Sequence, residues 1–204
     1  SGAELLAYFN SYVEKFNLNQ FIKFNTKVSK AIPLNDKWKL FFEDSSEDFD
    51  YLIVANGHHW SPRIPAFEGD FSGELMHSHQ FKNNEYFKDK SVLVVGGGNS
   101  ACDIAVEVSR VAKKTSISMR RGYHFIPKFM MGMPSDAYYA KTLWIPQRIR
   151  LFLQKLALKI VQGSYKNYGL QKPDHDILQS HATINSELLY FIKHGKITPQ
   201  KNIS

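Results

Sequence analysis

Val92-Leu-Val-Val-Gly96-Gly-Gly98-Asn-Ser-Ala101 decides the fold of this chain. Four apolar residues suit a buried strand, and three glycines suit a tight turn. Ser100 to Ala112 then reads as a helix, and Thr115 to Met119 as a second short strand. Strand, glycine turn, helix and strand make a βαβ unit, whose parallel sheet implies a doubly wound, Rossmann-like α/β domain. The spacing is G-x-G-x-x-A, placed after a strand and opening a helix, which is the context of a dinucleotide-binding turn. Gly96 permits the sharp turn, Gly98 opens the backbone to a pyrophosphate, and Ala101 lets the helix pack close to the strand. The helix N-terminus adds free N–H groups and partial positive charge. Gly96, Gly98, Asn99 and Ser100 are therefore the candidate phosphate-binding residues. The competing reading is a glycine turn with no ligand, and the flanking elements weigh against it.

The end of the second strand, Ser118-Met119-Arg120-Arg121-Gly122, holds no acid where an NAD-binding fold often places one on the ribose 2′-OH. Arg120 follows Gly96 at a spacing close to the ~20 residues expected for that group. Two guanidiniums suit a 2′-phosphate, which arginine grips with paired hydrogen bonds. Alone, Arg120 and Arg121 would be ordinary surface arginines. After this turn, they make NADP the expected cofactor.

On the N-terminal side, Ala3 to Phe16 is an expected amphipathic helix, with Leu5, Leu6, Phe9, Tyr12, Val13 and Phe16 on one face. Ile22 to Val28 alternates as a half-buried strand, and Pro33, Asn35 and Asp36 mark a turn. Trp38, Leu40 and Phe42 give a second strand, and an acidic turn spans Asp44 to Asp48. Tyr51 to Ala55 is a continuous apolar run, read as a strand buried on both faces and ending at Asn56-Gly57. Ser61 to Pro65 carries two prolines and is the expected linker. Beyond the second nucleotide strand, Tyr123 to Lys172 shows no evident strand. Its one amphipathic helix, about Pro146 to Val161, is expected to pack its apolar side on the domain. Ser186 is the expected cap of a helix from Glu187 to Lys193, stopped by Gly195, and Lys196 to Ile203 is a final strand.

Composition narrows the function classes. The 204 residues are 43% hydrophobic and 22% charged, which excludes wholesale disorder. One cysteine, Cys102, excludes an intrachain disulfide, a CxxC pair and a cysteine zinc cluster, and agrees with a reducing, cytoplasmic location. No apolar run approaches the ~20 residues of a membrane-spanning helix. Arg110 to Lys166 holds twelve basic residues and one acid, Asp136, so this segment carries +11 of a chain whose net charge is +7. Such a segment suits nucleic acid, anionic lipid or a phosphorylated small molecule. No nucleic-acid motif accompanies it, and packing of its helix outweighs membrane contact. The dinucleotide turn favours the small molecule. His58, His59, His77 and His79 show no metal-ligand spacing, so no metal is expected, and His77 reads as a structural residue at a domain interface. Cys102 reads as a small buried residue, and Asp103 and Glu107 as solvated or capping acids.

Two further segments point to a family. Phe71-Ser-Gly73-Glu-Leu-Met-His77-Ser-His-Gln-Phe81 fits F-x-G-x-x-x-H-x-x-x-F/Y, the pattern ahead of the second nucleotide fold in flavin-containing monooxygenases. Asn99 to Glu107 and Met119 to Gly122 look like that family's NADP segment. Ala55-Asn56-Gly57 resembles its A-T-G turn, with Asn for Thr. Gly169 to His175 and Asn185 to Gly195 extend the resemblance along the chain. Phe81 stands where Baeyer–Villiger relatives usually have Trp, which favours the amine- and sulfide-oxygenating branch.

The resemblance implies FAD and NADP as cofactors, with NADPH reducing the flavin. It implies a flavin C4a-hydroperoxide that oxygenates a soft nucleophile, so the partners are a small-molecule substrate and O₂; a homodimer stays open. Asn56 and Gly57 would border the flavin. The family's first G-x-G-x-x-G and its C-terminal return to the FAD domain have no counterpart here. The chain thus reads as an internal fragment, expected to be inactive alone. Residues 1–60 would end the first FAD-binding segment, and 61–204 would be the NADP domain, with a helical insertion at about 123–175. The family's active-site asparagine would lie upstream, so catalytic residues are not assigned. Another two-dinucleotide flavoprotein, either Baeyer–Villiger or disulfide-reductase-like (the latter disfavoured by the absent CxxC), and a non-catalytic NADP module are the alternatives.

Overall fold

The computed structural model describes residues 2–57, 61–180, 182–200 and 203. His58, His59 and the 201–202 part of the expected last strand lie outside them. The chain divides into two compact units, Ser1–His58 and His59–Ser204.

The first unit opens with helix α1, Gly2–Lys15. A three-stranded antiparallel meander follows: β1 (Lys30–Leu34), β2 (Lys37–Phe41) and β3 (Ser46–Phe49), in the order β1-β2-β3. Its second strand lies where alternation placed it, but its first does not. The two-residue turn at Asn35 and Asp36 pairs Leu34 with Lys37, so the register runs back to Lys30 opposite Phe41. The alternating stretch from Ile22 to Val28 falls outside that pairing and is irregular, with Asn25 at φ +55. Pro33 lies within β1, which tolerates it as an edge strand. The acidic stretch is half turn and half strand. Phe42 and Ser45 close the turn, and Glu47 and Asp48 sit on exposed β3, with Asp48 opposite Lys39. Tyr51 to Ala55 forms no strand, and Tyr51 is 88% exposed. No described strand offers it a hydrogen-bonding ladder. The apolar face of α1 is likewise exposed.

The second unit holds the nucleotide fold. Strand β4 (Ser91–Val95), helix α2 (Asn99–Val108) and strand β5 (Lys114–Ser118) build the expected βαβ unit. Next come the two-residue strands β6 (Phe125–Ile126), β7 (Phe129–Met130) and β8 (Met133–Pro134), which apolar patterning is too short to reveal. Helices α3 (Ser135–Lys141) and α4 (Gln147–Gln162) follow, then β9 (Thr183–Ile184), α5 (Leu188–Lys193) and β10 (Ile197–Gln200). The main sheet is parallel, ordered β10-β5-β4, one half of a doubly wound sheet. Central β5 is buried from Thr115 to Ser118. Cys102, Ala105 and Val106 of α2 and Leu188 and Ile192 of α5 close on Ile117, Met119, Phe125 and Ile197. Ile117, Phe125, Leu188 and Ile197 are at most 1% exposed, and burial of each stabilises the fold by about 1.5–3 kcal/mol.

Besides these short strands, two further expectations fail in the region between β5 and β10. Ser186 does not cap α5. Asn185 does: its Oδ1 accepts the N–H groups of Glu187 (2.9 Å) and Leu188 (2.6 Å). Ser186 Oγ instead accepts Lys128 N–H at 2.8 Å. Helix α4 forms where periodicity placed it, but its apolar stripe does not pack. Ile149, Phe152, Leu153, Leu156 and Ile160 are exposed, and Leu158 on another side is buried. Polar contacts accompany this orientation. Arg150 donates to Thr142 O and Tyr139 Oη, Gln162 Nε2 to Phe125 O, and Lys155 pairs with Asp176 at 2.6 Å. The Lys155 ammonium holds the Asp176 carboxyl below its usual pKa. Among the described residues, no helix is long and apolar enough to cross a membrane.

Candidate dinucleotide-binding site

The register pairs Val95 and Gln200 with Ser118, so β4, β5 and β10 end side by side. Their carboxyl edge therefore carries both the glycine turn and the two arginines, the place where open α/β sheets bind nucleotides.

The three glycines have different reasons to be glycine. Gly96 has φ +134, and a Cβ there would lie 3.3 Å from the Ala101 methyl. Its N–H donates to Ser118 O at 2.9 Å, tying the turn to β5. Gly97 is buried under Tyr123, and a Cβ would stand 2.2 Å from that ring. The G-x-G reading treats position 97 as free, yet its neighbour makes it the most crowded of the three. Gly98 is exposed, has φ −80 and ψ 176, and would place a Cβ with nothing within 4 Å. It is also the N-cap of α2 and gives no side-chain cap. Exposed Asn99 and Ser100 form the first turn, whose N–H groups have no intrahelical acceptor. The Asn99 side chain is turned to β9, where its Oδ1 accepts Ile184 N–H at 2.8 Å. The Asn99 side chain is thus committed to β9, and only its backbone N–H faces the turn.

The arginines diverge. Arg120 is exposed beyond buried Met119. Arg121 donates to Ser180 Oγ at 3.1 Å, and its guanidinium lies 5.5 Å from the centre of the Tyr123 ring. Gly122 is needed for close approach, since a Cβ would lie 2.5 Å from the Lys172 and Pro173 backbone. A cavity of about 260 Å³ opens beside Arg121, lined by Met119, Tyr123, Leu170 and Pro199 among others.

The remaining named residues, apart from Asn56 and Gly57, make local structural contacts. In the F-x-G motif a Gly73 Cβ would lie 2.4 Å from the Phe71 ring, but that ring is 75% exposed and can turn aside. His77 closes a turn: its Nδ1 accepts His79 N–H at 3.1 Å, and Gln80 Oε1 accepts His77 N–H at 3.0 Å. Phe81 stacks on Phe87 at 5.8 Å. Cys102 is fully buried, and burial, then the Asp103 charge, pushes its thiol up to about 12, so it is no nucleophile. Asp103 is more than a solvated acid, because its Oδ1 accepts Asn185 Nδ2 at 2.8 Å and Lys128 Nζ at 3.2 Å. Asn56 and Gly57 are exposed at the end of the first unit, Gly57 at φ +72.

The model of the family described as flavin-binding monooxygenase-like matches residues 1–204. The chain belongs to this family. Among relatives, it is 32% identical to "Flavin-containing monooxygenase 5" of Oryctolagus cuniculus, over 98% of this chain and 41% of the relative. It is 33% identical to "4-hydroxybenzoate brominase (decarboxylating)" of Marinomonas mediterranea, over 98% of this chain and 42% of that one. The chain thus spans about two fifths of these relatives' length. A crystal structure of OTEMO complexed with FAD and NADP shares the fold, with TM-score 0.71 and 17% identity over 98% of this chain and 51% of that one. The family is an enzymatic one.

Proposed function

We propose that this chain supplies the NADPH site of an FAD-dependent monooxygenase that oxygenates a soft nucleophile, an amine or a sulfide. One observation carries the NADP reading. The fold gives Gly98 no reason to be glycine: its backbone is ordinary, its Cβ position is empty, and Ser, Thr, Asp or Asn would cap α2 better. A ligand that must touch the backbone supplies the reason. The residues fit NADP: the α2 N-terminus would take the pyrophosphate, and Arg120, with Arg121 behind it, the 2′-phosphate. For FAD, the described residues of the first unit hold no glycine turn between strand and helix, so no pyrophosphate site is assigned there; Asn56 and Gly57 would lie near the flavin. When bound, the flavin supplies the oxygen chemistry, while this chain's part is to hold and orient the nicotinamide donor. Phe81 at the end of its motif supports amine or sulfide over ketone substrates. The brominase relative shows that family likeness alone does not select a substrate.

The test is Gly98→Val in the complete encoded protein. The fold should lose about 1 kcal/mol at most, from the poorer cap. NADPH affinity should collapse while flavin content stays at the wild-type level. Normal NADPH titration by this variant would reject the site.

A further inference from the structure

Thr183 is 1% exposed, and its Oγ1 donates to Gly97 O at 2.6 Å. The next two residues reach the same helix end: Ile184 N–H donates to Asn99 Oδ1, and Asn185 Nδ2 to Asp103 Oδ1, each at 2.8 Å. Residues 183 to 185 therefore clip the glycine turn and the first turn of α2 from one side. On Gly97 the Tyr123 ring fills the space a side chain would need. The 97–98 peptide is thus held by the buried Thr183 hydrogen bond, by a longer, weaker one from Cys102 Sγ at 3.8 Å, and by an aromatic wall.

Peptide geometry gives this clip a consequence. In a trans peptide the C=O and the following N–H point in opposite directions. Tying Gly97 O to buried Thr183 turns the Gly98 N–H away from β9, toward the exposed side of the turn. A flipped peptide would offer the anion a carbonyl oxygen and repel it. We infer that Thr183 is a positioning residue for the dinucleotide: its buried hydroxyl fixes the 97–98 peptide so that a donor faces the pyrophosphate. The inference rests on the NADP reading above.

The experiment titrates the complete encoded protein with NADP⁺ and with adenosine 2′-monophosphate, which carries the phosphate meant for arginine but no pyrophosphate. Thr183→Val keeps the shape and removes the hydroxyl. It should weaken NADP⁺ about tenfold, the worth of one net hydrogen bond, and leave the monophosphate within about twofold. Thr183→Ser keeps a donor and should bind NADP⁺ as the wild type does. If the Val variant does not fold, Thr183→Cys, a weaker donor, should show a selective but smaller loss. Unchanged NADP⁺ affinity in Thr183→Val, or equal loss for both ligands, overturns the positioning role. Gly98→Val serves as the control for the site itself. If it binds NADP⁺ normally, both the site and the positioning role fall; if it does not, a normal Thr183→Val overturns the positioning role alone.

Discussion

Arg120 and Arg121 are adjacent in sequence and unequal in structure. Two guanidiniums after the second nucleotide strand were legible as a pair, but which one is committed elsewhere was not. Arg121 is engaged by Ser180 and the Tyr123 ring, whereas Arg120 is exposed at the carboxyl edge. Arg120→Ala should therefore carry the larger loss of preference for NADPH over NADH. A charge-assisted contact to a phosphate is worth about 1.5–3 kcal/mol, tenfold or more in the ratio of the two affinities. Arg121→Ala should change that ratio less and disturb Tyr123 instead. Titration of each variant with both nucleotides checks this, and a larger loss from Arg121→Ala would reverse the assignment. The glycines show the same limit of sequence reading. Spacing named Gly96 and Gly98, while the need for Gly97 arises from Tyr123, twenty-six positions along the chain, which no local pattern announces.

At the scale of elements, strong apolar periodicity and turn chemistry placed β4, α2, β5 and α4 within a few residues. What failed depended on partners. The first strand of the meander was misplaced because a two-residue hairpin turn, not alternation, sets its register against β2. The outward stripe of α4 is accompanied by polar contacts to distant residues such as Thr142, Asp176 and Phe125. The cap of α5 was misread by one residue, and the difference is measurable. Asn185 is 6% exposed and joins α5 to α2: its Oδ1 accepts two N–H groups while its Nδ2 donates to Asp103. Asn185→Ala removes the cap, about 0.5–2 kcal/mol, and the hydrogen bond to Asp103, about 0.5–1.5 kcal/mol more. Ser186→Ala loses only one bond to a loop N–H and should cost about 1 kcal/mol or less. Urea unfolding of the two variants ranks them, and a larger loss for Ser186→Ala would restore the original cap.

For the whole molecule the deciding fact is how many dinucleotide cradles the chain holds. Its described residues contain one glycine turn between a parallel strand and a helix, at Gly96 to Asn99, and it lies in the second unit. Among its described residues the first unit offers a helix and an antiparallel meander, with no helix N-terminus following a strand to receive a pyrophosphate. The 204-residue chain spans 41% of its rabbit relative. Purified as these 204 residues, it should bind NADP⁺, because the turn and Arg120 are local to the second unit. It should carry no stoichiometric flavin and show no NADPH-dependent oxygenation. The exposed apolar faces of α1 and α4, with Tyr51, Ile53 and Val54, should also make it prone to self-association. An absorbance scan for bound flavin, a nucleotide titration and an NADPH-oxidation assay on one preparation check these outcomes together. A stoichiometric flavin spectrum would mean that FAD is held without a strand–turn–helix cradle, or that it occupies the turn at Gly98. In the second case NADP⁺ would compete with it, so adding NADP⁺ and following release of the flavin separates the two explanations.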